Sequence, residues 1–111
     1  HRISKLPNSI ALQPRMILSN EPGYYKTGAY GIRIENLVAV RKAEIEGADR
    51  RYLEFETLTL APIDLACVEP GLLTEPERSW LNAYHRRVRE TIGPTVDEAT
   101  RTWLAGATRE I

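Results

Sequence analysis

Two glutamates placed within strand-like apolar stretches constrain the fold of this chain more than any other feature. Glu21 follows the apolar residues 16–18, and Glu35, fourteen residues later, lies within the apolar stretch 32–40. Placing a carboxylate inside a sheet costs free energy unless it is paired or binds a metal ion. Because the two segments could pair as neighbouring strands, the two carboxylates are typical of half of a site for a hard divalent cation.

The charge balance and hydropathy of the chain exclude several function classes. The 111 residues include 15 Lys and Arg and 15 Asp and Glu, so the net charge is zero. The composition therefore lacks the excess of basic residues that is expected of a nucleic-acid-binding protein. No window approaches eighteen consecutive apolar residues, so the sequence predicts no transmembrane helix. The single cysteine, Cys67, excludes an internal disulfide, and its apolar neighbours predict a buried or half-buried thiol without a catalytic role.

The first half of the chain has the pattern of short strands broken by turn residues. Pro22 and Gly23 end the first strand, because proline lacks a ladder donor and glycine permits a positive φ. The predicted strands are residues 16–20, 32–41 and 52–60, separated by a turn-rich segment at 24–31 and a charged hairpin loop at 43–51.

The second half predicts two helices. Thr74, followed three residues later by Glu77, forms a capping-box pattern, and apolar residues then recur at helical spacing for about five turns until Gly93-Pro94. A second amphipathic segment runs over residues 96–107. The pattern as a whole predicts an α+β fold, with a short curved antiparallel sheet within residues 16–63 and two C-terminal helices.

Several polar and aromatic residues can be explained by a structural role as well as by a functional one. Arg33 lies two residues before Glu35, on the same strand face, where it could hold a carboxylate. His85 has no second metal-ligand residue three or four positions away, so we expect a surface or edge histidine. Trp80, Tyr84 and Trp103 have helical spacing that favours packing over a cofactor site.

Two motifs and their surroundings resemble a known family. Residues 19–25 (Ser-Asn-Glu-Pro-Gly-Tyr-Tyr) and 31–36 (Gly-Ile-Arg-Ile-Glu-Asn) resemble the last two metal-ligand motifs of the aminopeptidase P branch of the pita-bread metallopeptidases. Residues 55–63 resemble the strand after the site, and residues 73–85 resemble the C-terminal helix of the large, cytosolic-type Xaa-Pro aminopeptidases. Residues 2–5 resemble the segment that follows the family's His-Glu-Gly-Pro sequence.

The resemblance implies a site and a reaction. In that family two Asp, one His and two Glu hold two divalent ions, usually Mn²⁺, which activate water to release an N-terminal residue that precedes proline. By this resemblance Glu21 binds one metal ion and Glu35 bridges both, Arg33 lies near the bridging carboxylates, and Tyr25 lines the site. The implied partner is a peptide with proline in the second position, and the implied location is the cytoplasm.

The departures from the family pattern define what this chain lacks. Both aspartates and the ligand histidine lie upstream of the motifs in the family, and this chain offers no residues that match them. We therefore expect a single domain over residues 1–111 that is the C-terminal fragment of a larger catalytic domain, inactive by itself and dependent on the missing upstream part. Its expected parts are an irregular lead-in at 1–13, a strand region at 14–63 and a helical extension at 74–109.

Two further departures concern single residues. The chain opens on His1 and has one methionine, Met16, so we expect the natural protein to extend upstream. Arg15 occupies a position where the family commonly has glycine. The family's turn at this position is thus open to change.

Two alternatives remain open from the sequence. The chain could be a non-catalytic dimerisation module that uses the Trp80, Tyr84 and Trp103 surfaces, and a homo-oligomer formed through the C-terminal helices fits this reading. It could also derive from a prolidase-like or creatinase-like relative with another substrate, although the C-terminal extension favours the aminopeptidase.

Overall fold

A computed structural model of the chain describes residues 9–111, which divide into two compact units, residues 9–59 and residues 60–111. Of the predicted lead-in, residues 1–8 lie outside the described part, and residues 9–13 contain no helix or strand. Antiparallel strands make up the first unit and helices dominate the second, as the α+β prediction requires. The assignment of residues 1–111 to one domain stays a prediction.

The first unit contains two antiparallel sheets. A three-stranded sheet has the order β1-β4-β5, and β2 pairs with β3 as a separate two-stranded sheet. The strands are β1 Ile17–Asn20, β2 Gly23–Lys26, β3 Tyr30–Arg33, β4 Asn36–Ala43 and β5 Tyr52–Thr57. The charged segment after β4 forms the predicted hairpin loop, and Gly47 there has a positive φ of 73°.

One face of the three-stranded sheet carries the core of this unit. Leu18, Val38 and Val40 are buried together, with Met16 packed against them. Their side chains share one face because successive strand residues point to opposite sides, and Leu18 pairs directly with Val38. The opposite face, which carries Ile17 and Leu37, stays exposed.

A bulge at Arg15 begins the first strand. Residues 13–16 form a turn in which the Met16 N–H donates to the Gln13 carbonyl at 3.2 Å, and Arg15 has a φ of 79°. The Arg15 N–H donates to the Val40 carbonyl, and the Val40 N–H donates to the Met16 carbonyl. Arg15 and Met16 on one strand thus oppose Val40 on the other, as in a β-bulge whose first position is usually glycine. A turn and bulge are therefore present here although arginine occupies the position.

Two helices and three short 3-10 turns form the second unit. Helix α1 runs over Glu75–Ile92 and helix α2 over Glu98–Ala107. The 3-10 turns cover Leu65–Cys67, Pro70–Leu72 and Gly93–Thr95. Tyr84, Val88 and Leu104 form the buried core. Neither helix of the described chain has the length and hydropathy needed to span a bilayer.

Each helix begins at a capped residue, and the cap of α1 is the predicted one. Glu77 Oε2 accepts hydrogen bonds from the backbone N–H and the hydroxyl of Thr74, each at 2.8 Å, so the capping box is confirmed. The Thr74 backbone hydrogen bond, followed by the Thr74 hydroxyl, lowers the pKa of the Glu77 carboxyl. At α2 the side chain of the N-cap residue itself caps the helix, because the Asp97 carboxylate accepts from the Thr100 N–H at 2.9 Å.

The prediction of a surface histidine at position 85 is wrong. His85 is fully buried, and its Nε2 accepts the Ile63 N–H at 3.0 Å, so the imidazole satisfies a backbone donor of the segment before α1. The neighbouring Tyr84 hydroxyl donates to the Ala61 carbonyl at 2.9 Å. Burial, and secondarily the charge of Arg89, lowers the pKa of His85. Helical spacing alone could not reveal this role, because the partner lies on a distant loop.

Other sequence expectations need correction. The predicted strand 32–41 is two strands, because the pairing is interrupted at residues 34–35, and the predicted turn-rich segment 24–31 is mostly the β2-β3 hairpin. The predicted strand 52–60 ends at Thr57. Cys67 is exposed rather than buried, because Leu65 is the member of its 3-10 turn that faces the interior.

Candidate metal centre

The two glutamates lie at the interruption between the two sheets. Glu21 follows β1 and precedes β2, and Glu35 follows β3 and precedes β4. Pro22 explains part of the interruption, because it has no N–H to donate across the ladder. The Ile34 N–H still donates to the Pro22 carbonyl at 3.1 Å, so the two chain segments remain adjacent through the break.

The pairing register places the two glutamates at opposite positions of the ladder. Asn20 pairs with Asn36 on one side of the break, and Gly23 pairs with Arg33 on the other. The register is the same on both sides, so its continuation sets Glu21 across from Glu35. Residues opposite each other in an antiparallel pair have Cβ atoms about 4.5–5.5 Å apart. Like charges at such positions repel, so this arrangement favours a cation between them.

Neighbouring side chains hold each carboxylate. The Ser19 hydroxyl donates to Glu21 Oε2 at 3.2 Å, in a partly buried position. Arg33 Nε lies 3.4 Å from Glu35 Oε2, and both side chains are about half exposed. The predicted enclosed sheet interior is therefore not seen within residues 9–59, where the site forms an open polar face.

Tyr25 belongs to the same face as the ion pair. Its hydrogen bond with the Arg33 guanidinium, followed by the charges of Glu35 and Glu21, raises the pKa of Arg33 above its ordinary value. The ladder puts five residues on one face, because residues two or four positions apart on a strand, and residues paired across the ladder, point to the same side. These residues are Ser19, Glu21, Tyr25, Arg33 and Glu35. The structure thus brings together all four residues that the sequence singled out.

These residues fit part of a metal site. Carboxylate oxygens are suitable donors for a hard divalent cation, whose coordination shell takes six or more ligands. Within residues 9–111, however, no group of three or more His, Cys, Asp or Glu side chains could hold a metal ion. The described residues therefore offer two carboxylates to a site that needs further donors. The assignment of Glu21 and Glu35 as ligands stays a prediction.

Sequence reasoning missed Ser19 as a neighbour of this site. Ser19 precedes Glu21 by two residues, and this strand spacing places both side chains on one face. This spacing could have identified Ser19 as a neighbour of Glu21 from the sequence.

Two family models match the chain. The C-terminal region of peptidase M24 matches residues 51–111, and metallopeptidase family M24 matches residues 1–42. The chain belongs to metallopeptidase family M24. The matched ranges place both glutamates in the part shared with the M24 peptidase model and both helices in the C-terminal region.

Similar M24 proteins carry aminopeptidase names. A probable Xaa-Pro aminopeptidase P from Coprinopsis cinerea is 43% identical over 94% of this chain and 17% of the relative. Aminopeptidase P1 from Lotus japonicus is 40% identical over 100% of the chain and 17% of the relative. Aminopeptidase P2 from Arabidopsis thaliana is 46% identical over 94% of the chain and 15% of the relative. This M24 chain therefore spans about a sixth of the length of these relatives.

A solved structure has a similar fold. The crystal structure of an X-prolyl aminopeptidase from Caenorhabditis elegans, described as a cytosolic enzyme with a di-nuclear active site, matches 90% of this chain and 17% of its own length. Its TM-score is 0.80 and its sequence identity is 38%. The resemblance to the aminopeptidase P branch of the pita-bread metallopeptidases is confirmed, and this M24 chain corresponds to the C-terminal part of such a protein.

Proposed function

We propose that this chain supplies two metal ligands, Glu21 and Glu35, to an Xaa-Pro aminopeptidase with a dinuclear site. The pairing register, which sets Glu21 across from Glu35 at the break between two strand pairs, is the observation that carries the proposal. The aminopeptidase P names of its relatives and the di-nuclear active site of the C. elegans protein support the same reaction class. The substrate would be a peptide with proline in its second position.

Each residue of the face has a proposed role. Glu21 would bind one ion, oriented by the Ser19 hydroxyl, and Glu35 would bridge both ions, held by Arg33. Tyr25 would line the site beside Arg33. When bound, two divalent ions would lower the pKa of a shared water, polarise the scissile carbonyl and anchor the free amine of the substrate. We propose Mn²⁺ as the metal, as the family resemblance implies, and carboxylate ligands suit this ion among other hard divalent ions.

The isolated chain is proposed to be inactive. The family site needs an additional histidine and two aspartates, and residues 9–111 contain no cluster of three metal-ligand side chains. Activity would therefore require the upstream part of an M24 catalytic domain. A cytoplasmic location is proposed from the cytosolic description of the C. elegans protein.

The test replaces one carboxylate at a time in a polypeptide that joins this chain to an upstream M24 segment with the other ligands. Glu21→Gln and Glu35→Gln should each lower kcat/KM on an Xaa-Pro tripeptide about 100-fold or more, because even residues that only orient ligands reach that magnitude. Glu46→Gln, in the exposed loop after β4, is the matched control and should keep full activity. Full activity of either ligand variant would reject the proposal. A preference for Xaa-Pro dipeptides would support the prolidase-like alternative.

A second proposed function is self-association through the helical unit. Trp80 and Trp103 are 51% and 62% exposed, which is unusual for tryptophan on a monomer surface. Tyr84, the third predicted contact residue, is buried and stacks on Trp80 with ring centroids 5.3 Å apart, so its role here is packing. Sedimentation of the chain should show a dimer that Trp80→Ala or Trp103→Ala weakens. A monomer at all concentrations would reject it.

A further inference from the structure

We infer that Gly23 and Gly31 are positioning residues of the metal centre: their missing side chains let the Tyr25 ring lie flat across two strands, so that its hydroxyl meets Arg33, the residue that holds Glu35. Because Glu35 is a metal ligand only under the proposed function, this role in the site rests on that proposal.

The Tyr25 ring covers both glycines. Tyr25 pairs with Gly31 across the β2-β3 ladder, and Gly23 pairs with Arg33. A Cβ on Gly31 would lie 2.7 Å from Tyr25 Cδ1, and a Cβ on Gly23 would lie 2.8 Å from the Tyr25 hydroxyl oxygen. Real Cβ atoms do not approach other atoms this closely, so any other residue at either position would force the ring to move.

Backbone conformation does not explain these two glycines. Among the described residues, the glycines with positive φ are Gly28 and Gly47, both in turns. Gly23 and Gly31 lie in regular strands, where any residue fits the backbone and where glycine weakens the strand. Close approach of another group is the usual reason for such a glycine. Here that group is the Tyr25 ring.

The Tyr25 hydroxyl lies on the side of the ring that is nearer to Arg33. The ring crosses Gly31 and ends above Gly23, whose partner across the ladder is Arg33. Tyr25 and Arg33 are therefore diagonal neighbours on one face, within reach of long side chains.

Arg33 connects the Tyr25 ring to the proposed ligand Glu35. Its Nε lies 3.4 Å from Glu35 Oε2, and the two residues are separated by one position on the same face. An exposed arginine has many rotamers, and a half-exposed ion pair alone contributes little to holding it. Contact with the Tyr25 hydroxyl, which lies over Gly23, restricts those rotamers and so orients the Glu35 carboxylate.

The experiment is solution NMR of the metal-free 111-residue chain and its Gly31→Ala variant. In the unaltered chain, Tyr25 ring protons should show nuclear Overhauser contacts to the Gly23 and Gly31 α-protons, and the Arg33 Nε–H should give a slowly exchanging signal. Gly31→Ala should lose the contacts to Gly23 and the protected Arg33 signal. The β4-β5 amides should remain protected, which shows that the sheet is intact.

Two further variants make the result decisive. Gly28→Ala alters a turn glycine of the same hairpin whose Cβ would meet nothing within 4 Å, so it should strain the hairpin and leave the Tyr25 contacts in place. Tyr25→Phe should keep the ring contacts and lose only the Arg33 signal. Where Gly31→Ala does not fold, Tyr25→Phe decides by itself: an unchanged Arg33 signal overturns the inference.

Retention of the Tyr25–Gly23 contacts in Gly31→Ala would likewise overturn it. Neither measurement involves a metal ion, so failure of the positioning role is distinguishable from failure of the proposed metal site. The latter would appear as full peptidase activity of Glu21→Gln or Glu35→Gln.

Discussion

Arg15 holds a backbone conformation that suits glycine. Its φ of 79° lies in the left-handed region, where a side chain costs about 1–2 kcal/mol. The strain persists because the Arg15 N–H and the Val40 N–H both complete hydrogen bonds of the bulge. We expect Arg15→Gly to stabilise the sheet by about 1 kcal/mol after its entropic cost in the unfolded chain. Native-state hydrogen exchange of the Val38 and Val40 amides measures this change.

Arg15→Ala is the matched control for that prediction. It removes the same side-chain charge and length but keeps a Cβ in the left-handed region, so the exchange rates should stay close to those of the unaltered chain. Equal stabilisation by glycine and alanine would show that the arginine side chain, and not the backbone, is the source of strain.

Burial makes His85 a pH-dependent element of the helical unit. Its pKa in the folded chain lies below its ordinary value of 6.5, so the unfolded chain binds more protons between the two values. Stability is therefore fully present above about pH 6.5 and falls as the pH decreases through the folded pKa. Urea unfolding followed by tryptophan fluorescence reports on this unit, because both tryptophans lie within residues 60–111.

Two substitutions separate the charge of His85 from its hydrogen bond. His85→Gln keeps an acceptor for the Ile63 N–H and should remove this part of the pH dependence. His85→Leu leaves that N–H without its partner and should destabilise the unit by about 1–3 kcal/mol at all pH values. An unchanged pH profile in His85→Gln would show that another group is responsible.

At the scale of elements, the capping box sets the start of helix α1. Thr74 and Glu77 exchange hydrogen bonds ahead of an 18-residue helix that carries most of the buried side chains of its unit. Thr74→Ala should reduce the free energy of unfolding by about 1 kcal/mol. Thr91→Ala, on an exposed turn near the end of α1, should not reduce it. Urea unfolding of both variants makes the comparison, and equal losses would contradict a capping role.

Elements with strong local signals could be predicted from the sequence, and those fixed by distant partners could not. Helix α1 followed from its capping box and spacing, and the loop after β4 followed from its charges and Gly47. The break at Glu35 was missed because residues 32–40 are rich in β-branched apolar side chains, which predicts one strand, and the interruption depends on pairing with the segment that contains Pro22. His85 was misplaced for the same reason, since Ile63 is its partner.

The candidate site shows the same division. The sequence singled out Glu21, Glu35 and Arg33 as candidates, because each lies in a motif that resembles one of the family's metal-ligand motifs. The Tyr25 ring over Gly23 and Gly31 could not be predicted, because it depends on the ladder register that pairs Tyr25 with Gly31.

At the scale of the whole molecule, the chain is an M24 segment with two glutamates at opposite ladder positions and, within residues 9–111, no group of three or more metal-ligand side chains. Two carboxylates fill only part of a cation's coordination shell. We therefore expect weak binding of Mn²⁺, with a dissociation constant of about 10⁻³ M or above. Calorimetric titration tests this expectation, and tight binding would show that further donors belong to the site.

The most direct test of the metal centre is paramagnetic broadening of side-chain carboxyl carbon signals during titration of the chain with Mn²⁺. The account predicts that Glu21 and Glu35 broaden first and together, while Glu44 and Glu46 in the exposed loop do not, and that Glu21→Gln abolishes the selective broadening at Glu35. Uniform broadening of all exposed glutamates, or broadening at Glu35 that survives Glu21→Gln unchanged, would contradict a shared cation site.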